Sequence, residues 1–147
     1  MILIRPFSPT DIPAVTKIVS ESLGETYPPS LYLTIHNLWR DGFLVLLEDD
    51  RIVGFASAVP AGAKVARILM LAISPRYRRR SLGLKLMSEL TGSCISRGMD
   101  TVILEVRKGN REAITFYEKQ GFSVYGEIQA FYSNGEDAFK MMKVLQT

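Results

Sequence analysis

Apolar residues recur along the chain with two different periods. Alternating or continuous β-prone runs at 2–7, 43–48, 52–59, 64–74, 101–106, 122–131 and 137–145 predict strands, bounded by polar, glycine or proline breaks. Ile12, Val15, Ile18 and Val19 keep helical spacing towards Leu23, behind the start Ser8-Pro9-Thr10-Asp11-Ile12-Pro13, where a polar cap precedes proline. Gly24, Pro28 and Pro29 mark a loop, and a second helix over 30–39 stops at Asp41-Gly42. A third helix spans 82–97, and a fourth runs from the capping residue Asn110 to Gln120, where Gly121 suits a C-terminal stop. Hairpins are predicted around Asp49-Asp50-Arg51 and Ser133-Asn134-Gly135-Glu136. Strand 64–74, helix 82–97 and strand 101–106 form a βαβ unit. Such a unit requires parallel strands and a right-handed crossover, which sets the class as α/β.

Composition narrows the possibilities. The 147 residues suit one domain, 1–147, with no linker, repeat or low-complexity tract. Hydrophobic content of 47% beside 22% charged residues fits an ordinary globular protein. No apolar run approaches the ~18 residues needed to span a bilayer, so no membrane role is expected. Met1-Ile2-Leu3-Ile4-Arg5 lacks a basic stretch ahead of its apolar residues, which argues against a secretory signal. Cys94 is the only cysteine, excluding an intramolecular disulfide and fitting a reducing cytoplasm. Cys94 falls on the apolar face of its helix and reads as a buried, inert thiol. His36 is the only histidine, so neither a zinc site nor a Ser-His-Asp mechanism is expected.

The net charge of +3 is mild, but its distribution is not. Arg76, Arg78, Arg79 and Arg80 fall within five residues, just ahead of helix 82–97. A helix N-terminus presents unpaired N–H groups and a partial positive charge, and added guanidiniums make that cup a site for a polyphosphate. The same run could be a solvated basic loop. It could also bind nucleic acid, although no interleaved aromatics or longer basic stripe support that.

The segment Tyr77-Arg78-Arg79-Arg80-Ser81-Leu82-Gly83-Leu84 resembles the Q/R-x-x-G-x-G/A acetyl-CoA loop of the GNAT acetyltransferases. Arg78 takes the Q/R place and Gly83 the second glycine. Ser81 stands where the family has its first glycine, which would be needed for φ > 0 and close phosphate approach. A second block, running from Leu104-Glu105-Val106-Arg107 through Asn110, Ala113-Ile114, Tyr117-Glu118 and Gly121-Phe122, is similar to the signature of RimI-like and archaeal-type N-terminal acetyltransferases. The resemblance covers roughly the C-terminal half. It implies the GNAT fold, βααβββαβαββ, whose mixed sheet splays between strands 4 and 5 to admit acetyl-CoA. It further implies cofactor contacts from Leu71, Ala72 and Ile73 through backbone groups, from Arg78, Arg79, Arg80, Ser81, Leu82, Gly83 and Leu84 in the turn, and from Asn110 and Tyr117. One backbone N–H, that of Ile73, would serve the thioester oxygen.

In the implied reaction an amine attacks a thioester carbonyl, so the amine must be neutral and the leaving thiolate benefits from a proton. An α-amine ionises near 7.7–8.0 and lysine near 10.4, so an enzyme for N-termini needs only a modest base. Alternation places Ile103, Glu105 and Arg107 on one face of their strand, opposite Val102, Leu104 and Val106. A glutamate there can simply pair with an arginine. The resemblance makes Glu105 the general base and Tyr117 the proton or hydrogen-bond donor to the thiolate. Tyr117 could otherwise be a core-edge tyrosine, and Asn110 a plain helix cap.

For the acceptor, Leu23-Gly24-Glu25-Thr26-Tyr27, with Tyr32 and Trp39 beyond it, resembles the LPENY loop of archaeal-type enzymes, and Phe131-Tyr132 their aromatic pair. Glu25, Tyr27 and Tyr132 are thereby assigned to peptide binding. The expected reaction is acetyl transfer from acetyl-CoA to a protein or peptide N-terminus in a ternary complex, with an auxiliary subunit or the ribosome as a possible partner. Within the fold, a small-molecule or lysine acetyltransferase is the rival; a carboxylate-rich acceptor pocket would favour polyamines, and the loop at Glu25 and Tyr27 shows none. A non-catalytic RNA- or ribosome-binding module is the rival of another class.

Overall fold

The computed structural model describes residues 1–78 and 81–145. Ile2–Pro6 (β1) pairs antiparallel with Phe43–Glu48 (β2), β2 with Arg51–Gly62 (β3), and β3 with Val65–Ile73 (β4). Thr101–Arg107 (β5) runs parallel to β4, Ala138–Val144 (β7) pairs antiparallel with β5, and Ser123–Ile128 (β6) closes the far edge. Among the described residues these strands form one seven-stranded mixed sheet, ordered β1-β2-β3-β4-β5-β7-β6.

Helices cover both faces. Ile12–Leu23 (α1) and Pro29–Leu38 (α2) place Val15, Ile18, Val19, Tyr32 and Ile35 against Phe43, Val45 and Phe55. Leu82–Ser96 (α3) places Leu86, Leu90 and Cys94 against Leu44, Leu46, Val102 and Leu104, and Arg111–Lys119 (α4) packs Ile114, Phe116 and Tyr117 on that same core. Alternation along β2 feeds the two cores in turn, as a strand buried on both faces must. No helix among the described residues is long and apolar enough to cross a membrane.

The predicted elements are present, with two instructive differences. β6 ends at Ile128 rather than Phe131, because Ala130 takes φ of 50° and its N–H donates to Asp137 Oδ1 at 2.9 Å, turning the chain out of the ladder. The other difference lies in β4. Ser57 opposes Met70 while Ala58 opposes Ile68, leaving Leu69 as an extra residue. Ala66 and Ile68 therefore join the α3-side core, whereas Met70 and Ala72 join the α1–α2 core. Burial along β4 looks like unbroken alternation, yet the buried residues divide between two faces. A bulge bends its strand and increases its twist. Parallel pairing with β5 covers only Val65↔Thr101, Ala66↔Val102 and Arg67↔Ile103, and ends two residues before the bulge. Beyond that point β4 and β5 diverge, giving the expected splay between strands 4 and 5.

Candidate active site

The diverging strands open a cleft of about 660 Å³ between β4, the start of α3 and α4. Leu71, Ala72, Ile73, Arg78, Ser81, Leu82, Gly83, Leu84, Asn110 and Tyr117 all line it. Arg79 and Arg80, also assigned to the cofactor, lie outside the described residues.

Local chemistry explains each wall. The Ser74 N–H donates to the Val53 carbonyl at 2.7 Å, so alternation turns the Ile73 N–H away from β3, towards the gap where β5 has left. The Ile73 carbonyl is already engaged, accepting from Ser22 Oγ at 3.1 Å and Arg78 Nε at 3.2 Å. Among the described residues the first bond into α3 is Lys85 N–H to the Ser81 carbonyl, and the amides of Leu82, Gly83 and Leu84 precede it, in the turn where a helix has no intrahelical acceptor to offer. Ser81 itself adopts φ 61°, ψ 20°, the left-handed conformation a glycine would take. The turn keeps its shape at a cost of roughly 1 kcal/mol, and the serine side chain makes no capping hydrogen bond. A Cβ on Gly83 would come within 3.4 Å of Phe116, so glycine lets α3 approach α4 across the cleft. Asn110 Oδ1 accepts from the Ala113 N–H at 3.1 Å, so it caps α4 while also lining the cleft.

Tyr117 sits partly buried, edge-on to Phe116 and Phe122, with ring centroids 5.3 and 5.6 Å away. Burial, with a smaller contribution from Tyr132, pushes its phenol up to about 12. Glu105 does not line the cleft. It projects from the opposite face of β5 and forms an ion pair with Arg67, whose Nε and Nη2 both donate to Oε1 at 2.9 and 2.6 Å. Glu105 is therefore paired, and it lies two residues beyond the last β4–β5 pair.

Arg107, on the same strand as Glu105, meets residues assigned from the sequence to peptide binding. Arg107 stacks over the Tyr132 ring at 4.0 Å, lies 3.9 Å from Glu25, and donates to Glu136 at 3.1 Å and Asn134 at 3.3 Å. Burial raises the Tyr27 phenol, as does Glu25, while Arg107 opposes both. Burial likewise raises Tyr132, with Arg107 pulling down and Glu105, Glu136 and Tyr27 pushing up. Tyr132 thus feels charge from Glu105 on one side and touches the electrostatics of Tyr117 on the other. Three carboxylates do come together here, contrary to the expectation from the 23–27 loop alone, but each is engaged by Arg67 or Arg107. Tyr32 and Trp39 belong to the cores, at 0% and 6% exposure, and contribute no surface to the acceptor side.

A family model described as the acetyltransferase (GNAT) family matches residues 12–122. The chain belongs to this family. The GNAT chain is 34% identical to the catalytic subunit NAA20 of the N-terminal acetyltransferase B complex of Arabidopsis thaliana, over 99% of this chain and 86% of that one. It is 31% identical to N-alpha-acetyltransferase 30 of Schizosaccharomyces pombe, over 95% and 96% of the two chains. The crystal structure of Ard1 from Thermoplasma volcanium superposes with a TM-score of 0.96 at 36% identity, covering 99% of each chain.

The GNAT cleft also includes residues that sequence reasoning missed. Ser22 and Leu23, at the end of α1, Phe116, on α4, and Gln120, which follows it, line the cleft. Helical spacing from Tyr117 could have suggested Ala113, Phe116 and Gln120. Nothing local pointed to Ser22, which reaches β4 across 51 residues. Arg67 was missed as well, although a lone charge in an apolar strand was the available sign. Cys94 is 1% exposed, and burial pushes its thiol up to about 11, as an inert core cysteine requires.

Proposed function

We propose that this protein is a single catalytic domain that transfers the acetyl group of acetyl-CoA to the N-terminal α-amine of proteins or peptides, by direct attack within a ternary complex. The observation that carries this reading is the fork itself: free amides open on one side of it, and the Glu105 cluster stands on the other. Leu82, Gly83 and Leu84 at the start of α3, with Arg78, Arg79 and Arg80, would hold the diphosphate, and the β4 edge at Leu71 and Ile73 the pantetheine arm. When bound, acetyl-CoA supplies an acetyl group activated as a thioester.

The remaining work falls to side chains of this chain. Glu105 takes the proton from the amine, directly or through a water, and the modest basicity of an α-amine makes a carboxylate sufficient. The Ile73 N–H faces the gap and serves as the oxyanion donor. Tyr117 acts at the leaving sulfur. Moving a proton from a phenol held near 12 to a thiolate of ordinary pKa ~8.5 is uphill by about 5 kcal/mol. Its role is therefore hydrogen-bond donation to the developing thiolate, which takes its proton from water as it leaves. Glu25, Tyr27 and Tyr132 bind the peptide. Arg67 and Arg107 offset two of the three carboxylates gathered there, Glu25, Glu105 and Glu136, and leave a single negative charge, which suits one amine better than a polyamine. An auxiliary subunit or ribosome association, and a cytoplasmic setting, extend this reading, since the Arabidopsis relative is named as a subunit of a complex.

Acetyl transfer to unblocked peptides with varied first two residues tests the proposal, with mass spectrometry locating the acetyl group. Products on α-amines are expected. Products confined to polyamines or lysine side chains, or no calorimetric affinity for acetyl-CoA, would overturn it.

A further inference from the structure

The Arg67–Glu105 pair sits where the sheet stops being a sheet. Arg67 belongs to the last hydrogen-bonded rung between β4 and β5, opposite Ile103, and Glu105 lies two residues further along the diverging strand. The guanidinium bridges the first rung that backbone pairing no longer spans. Its two nitrogens converge on one carboxylate oxygen, Oε1. Among the described residues, no hydrogen bond reaches Oε2. Glu105 is 12% exposed, while Arg67 is 38% exposed and reaches the pair from the β4 wall.

We infer that Arg67 is a positioning residue for the transfer: it locks the Glu105 carboxylate by one oxygen and leaves the other as the proton acceptor. This inference rests on the reading of Glu105 as the base. Two donor nitrogens of one planar group converging on Oε1 hold that oxygen, and with it the side-chain rotamer, more firmly than a single ammonium would. An unpinned glutamate at a widening gap would sample several rotamers, and proton transfer needs heavy atoms within about 2.6–3.2 Å. The pair also sets the distance between the base and the β4 edge. Arg67 thus acts on the chemical step through Glu105, without touching the acetyl donor.

The test is a double-mutant cycle on the full chain, read by single-turnover rate, peptide KM and acetyl-CoA affinity by calorimetry. Arg67→Met is expected to lower the rate at least about tenfold with acetyl-CoA affinity kept within about twofold. Arg67→Lys, which keeps the charge but offers one donor nitrogen where Arg67 uses two, is expected to recover part of the rate. In a Glu105→Gln background, Arg67→Met is expected to cause no further loss. Equal losses in both backgrounds, or no loss in either while Glu105→Gln is inactive, would overturn the inference and leave the base assignment standing. An undiminished Glu105→Gln rate would remove the base assignment, and this inference with it. Should Arg67→Met fail to fold, Arg67→Lys carries the same cycle: a loss that persists undiminished beside Glu105→Gln overturns the inference.

Discussion

On the α3 side of the gap, most of the wall comes from two short stretches of chain, within 71–84 and 110–120, joined by Ser22 and Leu23. On the α1–α2 side, Glu25, Arg67, Glu105, Arg107, Tyr132 and Glu136 arrive from four separate segments and meet through side-chain charge. A phosphate-bearing ligand asks for amides in a fixed turn, which contiguous chain provides. A peptide N-terminus asks for a charge-balanced, partly open mouth, which distant residues must assemble. The two halves should therefore fail separately when altered.

Gly83→Val tests that separation most severely. A Cβ would meet Phe116 at 3.4 Å, the near edge of ordinary contact, and the further methyls of valine would crowd the amides at the start of α3. Affinity for acetyl-CoA is expected to fall about 100-fold, close to 2.7 kcal/mol, with the fold retained by circular dichroism.

Tyr117→Phe probes the one group whose electrostatics touch both halves. The single-turnover rate is expected to fall about tenfold, with acetyl-CoA affinity nearly unchanged. The substitution also has a pH signature. The Tyr117 phenol ionises at about 12 when folded, against an ordinary 10.0. Its contribution to stability is present below pH 10 and is lost as pH rises through 12. Cys94, at about 11 against 9.0, adds a fall of the same sign that begins nearer pH 9. Urea denaturation at stepped pH should show this decline, and Tyr117→Phe should lessen its later part, to which Tyr27, Tyr32 and Tyr132 also contribute through phenols that burial raises.

Arg107→Gln attacks the acceptor side alone. Its ion pairs are partly solvent-exposed and individually weak, so peptide KM is expected to rise only about fivefold, with acetyl-CoA affinity unchanged. A matching loss of cofactor binding would show that the halves are not separable.

The smallest expected effect belongs to Ser81→Gly. Relief of the left-handed strain, partly offset by the greater freedom of glycine when unfolded, should stabilise the chain by a few tenths of a kcal/mol. Thermal denaturation measures it, and acetyl-CoA affinity is expected to hold within about twofold.

The same contrast explains how much could be read in advance. The strand and helix order, the parallel unit and the turn before α3 follow from periodicity and from residues adjacent in the chain. Even the left-handed position was visible, as a serine where a glycine was wanted. Glu105 was placed on the correct face by alternation within β5. Its partner was not found, because Arg67 is 38 residues away and only the crossover brings it alongside. The charge balance at the acceptor mouth was hidden for the same reason, since Arg107 and Glu136 are 29 residues apart. The early end of β6 had no local sign at all, as alanine rarely takes the conformation that Ala130 adopts.

Leu69 separates two properties that a strand usually ties together, the side its residues face and the path it follows. Met70 would alternate correctly with Ile68 if Leu69 were simply missing, so a chain one codon shorter should bury the same groups in the same cores. What it would lose is the bend. β4 could then run beside β5 to the end, the fork would zip shut, and a well-folded protein would have nowhere to admit its acyl donor. At this position the length of the chain, more than the identity of any residue in it, decides whether there is an enzyme.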